Sequence, residues 1–107
     1  IHLHQTTPQV FIERYCSKLN INKEITKVCM FVAHKIEQKN KIRENTPNSV
    51  AAGIVYFIGQ ECNLNISKKN VSLCSEISEV TINKCYKKLM KLKTELIPPS
   101  ILKRYAL

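Results

Sequence analysis

The segment from Val50 to Ile58 is apolar without interruption, and it constrains the fold of this chain more than any other feature. Thr46 and Pro47 stand just before it, and a capping residue followed by proline is typical of the start of a helix. A helix that is apolar on every side has to be buried on every side. We therefore expect a central helix with the other helices of the chain packed around it.

Both glycines of the chain, Gly53 and Gly59, fall within this predicted helix. Each costs the helix about 1 kcal/mol relative to alanine. A close packing contact would compensate for that cost. We therefore predict that a neighbouring helix crosses close to the backbone of the central one.

Helix signals also occur on either side of the central segment, whereas turn residues are scarce. Thr7 and Pro8 open a first helix that ends near Asn20, with Phe11, Tyr15 and Leu19 on one face. A second helix begins after Asn22 and carries an i, i+3, i+4 apolar stripe: Ile25, Val28, Cys29, Val32, Ala33 and Ile36. Two glycines and four prolines are too few for a β-sandwich or barrel. The chain is predicted to be all-α, a single domain over residues 1–107 with its helical core at about 8–93 and a tail at 94–107. Since Ile1 is not methionine, we expect a fragment of a longer protein.

Two helices near the end of the core form a helix-turn-helix pattern. Ser67 is placed to cap a fourth helix at 68–75 and Ser78 to cap a fifth at about 79–92. The second of the pair is basic, as in DNA-binding helix-turn-helix motifs. Its usual turn glycine is replaced by Glu76, which has to accept a left-handed conformation or a reshaped turn. The expected buried positions of the motif are Val71, Ser72, Ile77, Ile82 and Cys85.

A helical wheel of the fifth helix separates a core face from a lysine face. The core face holds Ile82, Cys85, Tyr86, Leu89, Met90 and Leu92. The lysine face holds Lys84, Lys87, Lys88 and Lys91, with Val80 in its middle near the N-terminus. Val80, Thr81 and Asn83 are suited to meet base edges while the lysines of this face meet phosphates, and Lys68 and Lys69 of the fourth helix are further candidate DNA-binding residues. The alternative interpretation is a solvated lysine face on an ordinary surface helix.

Charge and cysteine usage narrow the class of partner. The net charge is +9, and residues 67–107 contribute nine basic residues against three glutamates. Such a balance favours nucleic acid, a membrane surface or an acidic protein as partner. The five cysteines are never closer than eleven residues, so we expect buried, reduced thiols and neither a metal site nor a cofactor. Metal binding by His2 and His4 is the less favoured alternative.

Three segments resemble one known family. "TPNSVAAGIVYFIGQ" at 46–60 and "SEVTINKCYKKL" at 78–89 resemble the third helix and the recognition helix of the second cyclin-like repeat of transcription initiation factor IIB. "FIERYCSKLNI" at 11–21 is similar to the first helix of that repeat. The resemblance runs from about residue 8 to residue 93 and implies a five-helix cyclin-like fold.

The resemblance also implies a role. The family's helix-turn-helix enters the major groove of promoter DNA upstream of the TATA element, beside the TATA-binding protein, and the factor bridges that assembly to RNA polymerase II in the nucleus. The first cyclin repeat of the same chain is then a further partner. Val80 and Asn83 match base-contacting positions of the family. Because animal relatives commonly carry Arg at the position of Asn83, and Asn prefers adenine where Arg pairs with guanine, we expect altered or weakened upstream specificity.

Two other functions compete with this one. The related subunit of the RNA polymerase III initiation factor shares the paired repeats. A cyclin-like protein-binding module without DNA contact would not need four lysines on one exposed face. An enzyme, or a small-molecule substrate, is the least favoured, because the sequence contains no Asp, nucleophile motif or phosphate-binding glycine loop. No apolar stretch is long enough to predict a membrane partner.

Overall fold

The computed structural model describes residues 8–39 and 46–93. These ranges contain five helices and no strand: α1 (Pro8–Lys18), α2 (Lys23–Lys39), α3 (Pro47–Glu61), α4 (Lys68–Ser75) and α5 (Glu79–Lys91). The all-α prediction and the order of the five helices of a cyclin-like repeat are confirmed. The predicted tail at 94–107 and the two histidines His2 and His4 lie outside the described residues.

Helix α3 is the centre of the fold. It packs against each of the other four helices, most extensively against α5 and α1. From Ser49 to Gly59 every residue is buried except Tyr56, which is half-buried. The central position follows from the sequence, because an apolar helix surface on all sides removes the most area from water when other helices cover all of it.

The two glycines of α3 permit close contacts of different kinds. A Cβ added at Gly53 would lie 2.4 Å from the Cβ of Cys85, so α5 crosses α3 against bare backbone, as predicted. A Cβ added at Gly59 would lie 3.4 Å from the side chain of Ile66, which is an ordinary contact. Ile66 belongs to the connection after α3, so the expectation of a crossing helix is wrong at Gly59. There the neighbour is an irregular segment, held by a hydrogen bond from Gln60 Nε2 to the Ile66 carbonyl at 2.9 Å.

Helices α1 and α2 cover one side of α3 with the residues that periodicity selects. All six residues of the predicted α2 stripe are buried. In α1, Tyr15 is buried as expected, while Phe11 and Leu19 are half-buried and pack at the edge of the core. The first helix also buries Ile12 and Cys16. The apolar face of α1 is therefore centred slightly away from the predicted line.

Side chains and backbone at the helix ends explain where the helices stop and start. Asn20 and Asn63 have φ of 57° and 60°, the left-handed conformation that Asn tolerates, directly after α1 and α3. The side chain of Asn22 accepts a hydrogen bond from the Ile25 amide at 2.8 Å and caps α2. Thr46 stands at the expected cap position of α3, but its hydroxyl donates to Asn48 Oδ1 at 2.5 Å instead of accepting from a backbone amide. Pro47 at the first helical position therefore remains as the start signal of α3.

The cysteines behave as small hydrophobic residues. All five are thiols; Cys74 is half-buried and the others are buried. Burial raises the pKa of the Cys62 thiol to about 11. Burial also raises the pKa of Cys74, whose sulfur donates to the Tyr15 carbonyl at 3.7 Å. The prediction of burial is therefore confirmed for four of the five cysteines.

Replacing the two glycines of α3 by alanine should shift stability in opposite directions. We expect Gly53→Ala to lower the free energy of unfolding by about 1–3 kcal/mol, because its methyl group would overlap Cys85. We expect Gly59→Ala to raise it by up to about 1 kcal/mol, because helix propensity improves and the site has room. Urea unfolding of both variants checks this pair. Equal effects would contradict the close crossing at Gly53.

Thiol labelling should distinguish one cysteine from the other four. Under native conditions at pH 7–8 we expect iodoacetamide to modify Cys74 first, since it alone of the five is partly accessible. The raised pKa of Cys74 means that its rate should increase as the pH rises towards that pKa. Peptide mass spectrometry identifies the labelled sites, and Cys74→Ser is the control. Rapid labelling of Cys62 or Cys29 under native conditions would contradict the burial of these two thiols in the structure.

Candidate nucleic-acid interface

Helices α4 and α5 form the predicted helix-turn-helix, and a serine caps each of them. Ser67 Oγ accepts a hydrogen bond from the Asn70 amide at 3.1 Å. Ser78 Oγ accepts one from the Thr81 amide at 3.2 Å and so begins α5. Both caps confirm the sequence prediction, although α5 ends at Lys91, one residue earlier than expected.

The turn between the two helices is built on a left-handed residue and a buried hydroxyl. Glu76 has φ of 61° and ψ of 23°, so it adopts the left-handed conformation that its position requires. Its amide donates to the Ser72 carbonyl at 2.8 Å and closes α4. The Ser75 hydroxyl donates to the Val71 carbonyl at 2.7 Å and accepts from the Ile77 amide at 3.2 Å. One side chain therefore joins the last turn of α4 to the chain that leads into α5.

The core positions of the motif are filled largely as predicted. Val71, Ile82 and Cys85 are buried, while Ser72 and Ile77 are half-buried. The buried serine of α4 is Ser75, which sequence analysis did not select. A serine whose hydroxyl serves two backbone groups can be buried at little cost, because its polar atom is satisfied.

Helix α5 is fixed on α3 by packing along its length. Ile82, Cys85 and Leu89 are fully buried. Tyr86 packs edge-on against Tyr56, with ring centroids 5.0 Å apart, and burial raises the pKa of the Tyr86 hydroxyl. Just beyond the helix, the ammonium group of Lys93 lies 2.6 Å from a carboxylate oxygen of Glu61 at the end of α3. These contacts fix which side of α5 faces outward.

That outward face carries most of the predicted lysines. We call Lys84, Lys87, Lys88 and Lys91 the basic face. Lys84, Lys87 and Lys91 are exposed, whereas Lys88 is half-buried. Val80 is 66% exposed at the N-terminal end of the same face, as predicted. Met90 was assigned to the core face, and that assignment is wrong: it is 37% exposed, because it lies at the margin of the apolar face where neighbouring helices cover it only in part.

The three polar residues near Val80 are placed differently from one another. Thr81 is half-buried, and its hydroxyl oxygen accepts from Ser78 Oγ at 3.0 Å. Asn83 is half-buried, and its Oδ1 accepts from the ammonium group of Lys68 on α4 at 3.1 Å. Lys69, the neighbour of Lys68, is exposed. The structure therefore brings together the candidate residues of both helices and pairs one of the predicted phosphate ligands with a predicted base-reading side chain.

The helical spacing of the lysines in the sequence predicted the basic face. Nothing in the sequence predicted the contact between Lys68 and Asn83. The two residues are fifteen positions apart and on different helices. Tyr56 was also missed: its ring centroid lies 5.9 Å from the Lys68 ammonium group, within the range of a cation–π contact. Tyr56 belongs to the apolar run of α3, for which the sequence predicts burial. Its contact with Lys68 depends on the position of α4 beside α3, which the sequence does not give.

Other kinds of site find no support in the part of the chain that the structure describes. Residues 8–39 and 46–93 contain no group of three or more His, Cys or Glu residues that could hold a metal ion. None of the helices there is long and apolar enough to cross a membrane. A groove between α1 and α2 is lined by polar and apolar side chains, among them Ser17, Ile21, Lys27 and Met30.

The fold and this surface define a helical domain with a helix-turn-helix whose second helix is basic. The profile of the transcription factor TFIIB repeat matches residues 1–92. The chain therefore belongs to the TFIIB repeat family.

The relatives of this chain carry the names of initiation factor IIB or of a protein like it. A transcription initiation factor IIB-like protein of Acanthamoeba polyphaga mimivirus is 31% identical over 87 residues, which are 81% of this chain and 19% of that protein. Transcription initiation factor IIB of Oryza sativa subsp. japonica is 32% identical over 88 residues, 82% of this chain and 28% of the relative. The factor of Encephalitozoon cuniculi is 28% identical over 97 residues, which are 87% of this chain and 30% of that protein. The chain thus spans less than a third of the length of these proteins.

Glycine at the turn should stabilise the domain. Left-handed backbone costs a non-glycine residue about 1–2 kcal/mol, and the greater freedom of glycine in the unfolded chain cancels part of the gain. We therefore expect Glu76→Gly to raise the free energy of unfolding by about 0.5–1 kcal/mol. Glu76→Ala removes the same carboxylate but keeps the backbone cost, and it should stay within about 0.5 kcal/mol of the wild type. Urea unfolding of both variants separates the two effects; equal stabilisation would assign the gain to charge instead of backbone.

Proposed function

We propose that this chain is the promoter-binding repeat of a general transcription initiation factor. In this role α5 enters the major groove upstream of the TATA element, next to the TATA-binding protein, and the factor bridges that complex to RNA polymerase II. The observation that carries the proposal is the composition of the outward face of α5: an exposed Val80 at the start of the helix, followed by the basic face. An apolar side chain suits a thymine methyl group, and lysines suit phosphates.

The electrostatics of the motif support DNA over an uncharged partner. Residues 67–93 contain seven lysines against two glutamates, Glu76 and Glu79. Glu79 lies in the first turn of α5, where a carboxylate is favoured by the helix dipole. The helix dipole therefore explains the glutamate of α5. It does not explain the exposed lysines in the middle of that helix.

The names of the relatives support a role in transcription initiation. The proteins of rice and Encephalitozoon cuniculi carry the name transcription initiation factor IIB, and the assignment to RNA polymerase II is part of the proposal. A factor of this kind works on promoter DNA, which in a eukaryotic cell lies in the nucleus. The proposed role needs no catalysis, because the domain acts by joining DNA to protein.

In this proposal the repeat prefers its promoter site because it binds there together with other domains and proteins. A basic domain binds DNA without sequence preference at about 10⁻⁴–10⁻⁶ M at physiological salt. The TATA-binding protein and the first cyclin repeat hold this domain near its site and raise its effective concentration there. The base contacts of Val80 and Asn83 then select among nearby positions.

A gel shift with the full-length factor tests the proposal. The complex to be measured is the one formed with the TATA-binding protein on a TATA promoter fragment. We expect Lys84→Glu/Lys87→Glu to weaken it by at least about tenfold and to reduce its salt dependence, since two exposed phosphate contacts become repulsive. These two lysines are preferred to Lys88, which is half-buried and has a contact within the domain.

A matched control makes the same charge change on another surface. Lys23 and Lys27 are exposed on α2, and Lys23→Glu/Lys27→Glu alters the net charge by the same amount. This control should form the promoter complex within about threefold of the wild type, because long-range charge effects between exposed groups are screened at physiological salt. If the two double variants behave alike, the basic face is a solvated surface and the protein-binding module becomes the better hypothesis.

A further inference from the structure

The Lys68 side chain connects three helices at the edge of the proposed DNA-reading surface. Its ammonium group, on the first turn of α4, donates to Oδ1 of Asn83 on α5 at 3.1 Å. The same ammonium group lies 5.9 Å from the ring centroid of Tyr56 on α3. Tyr56 is in turn held by its edge-on contact with Tyr86. Lys68 is thus positioned by an aromatic pair that belongs to the support of α5.

The chemistry of a lysine contact fixes the orientation of the asparagine amide. An ammonium group carries three donors and no acceptor, so it can bind only the oxygen of the Asn83 side chain. The amide nitrogen, which carries two N–H donors, is therefore turned away from Lys68. Asn83 in this state offers both N–H donors to an approaching ligand, while a cation within the protein occupies one of the two acceptor sites of its oxygen.

Recognition of adenine by asparagine needs both ends of the amide. The oxygen accepts from the adenine N6 amino group while the nitrogen donates to N7. The Lys68 ammonium group fills one of the two acceptor sites of this oxygen and holds a positive charge beside it, which opposes the approach of the N6 amino group. The two N–H donors still fit any acceptor of the major groove: N7 of either purine, O6 of guanine or O4 of thymine. An Asn83 that reads mainly through its donors consequently separates bases less sharply than a bidentate one.

We propose that Lys68 sets the base specificity of this domain by occupying the amide oxygen of Asn83, so that Asn83 reads bases mainly through its N–H donors. Lys68 is in this view a positioning residue that broadens the set of sequences read by α5, in addition to any attraction that it exerts on the DNA backbone. The inference rests on the proposed function, because it requires α5 to lie in the major groove. The inference predicts a result that a simple phosphate contact would not give. Replacing Lys68 should make the sequence preference of the domain sharper while it lowers the affinity for DNA.

The test is a selection from a promoter library randomised upstream of the TATA element. Full-length factor and the TATA-binding protein are used throughout, with the wild type compared to Lys68→Met, which retains an aliphatic stem against Tyr56. We expect Lys68→Met to increase the preference for adenine at one base pair by about fivefold or more over the wild type, because the freed amide can bind adenine in bidentate fashion. Adding Asn83→Ala to Lys68→Met should abolish that gain.

The control is the adjacent lysine. Lys69 is exposed on the same turn of α4, and Lys69→Met removes the same charge one residue away. We expect Lys69→Met to bind all library members more weakly and to leave their order of preference unchanged. Thermal unfolding of each variant confirms that the fold is retained.

The possible failures are distinguishable. If Lys68→Met and Lys69→Met lose affinity alike and neither changes base preference, Lys68 is a phosphate contact and the inference is wrong, while promoter binding stands. A wild type that already selects adenine as strongly as Lys68→Met also overturns it. If the wild-type factor forms no promoter complex with the TATA-binding protein, the proposed function fails and the inference fails with it.

Discussion

The close crossing of α5 over the backbone of α3 is the contact on which the rest of the structure depends. Gly53 leaves no side chain between the helices, and Cys85 occupies the space that a methyl group would need. This contact brings Ile82 and Leu89 into full burial on either side and fixes which residues of α5 face outward. Because the Cys85 side of α5 lies against α3, Val80 and the basic face are left on the side that faces away from the core.

A second constraint sets the angle at which α5 leaves α4. The turn is held by the left-handed Glu76 and by the Ser75 hydroxyl, which bonds to one backbone group before the turn and to one after it. Buried polar contacts of this kind restrict geometry because an alternative turn would leave a backbone group or the hydroxyl unsatisfied. The motif thus adopts a defined geometry without the usual glycine. Local hydrogen bonds and packing on α3 offset the cost of the left-handed backbone at Glu76.

The fold was predictable from the sequence to the extent that it depends on local periodicity and capping. The apolar run of α3, the stripe of α2 and the serine caps of α4 and α5 are each contained in one segment, so a single sequence reveals them. The features that were missed depend on irregular connections or on contacts between helices. Ile66 lies against Gly59 through an irregular connection, and Lys68 meets Asn83 only when α4 and α5 are both placed on α3. The wheel misplaced Met90 because an ideal wheel gives the direction of a side chain but not how far the neighbouring helices extend to cover it.

The lysines of the basic face do not all argue equally for a polyanionic partner. Lys88 and Lys91 lie in the last turn of α5, where the helix dipole favours positive charge by about 0.3–1 kcal/mol. Their presence therefore has an explanation within the fold. Lys84 and Lys87 lie before that turn, and each has a like charge four residues further along, which costs about 0.2–0.5 kcal/mol. Since they are exposed and begin one turn after an exposed valine, these two residues are the strongest support for DNA as the partner.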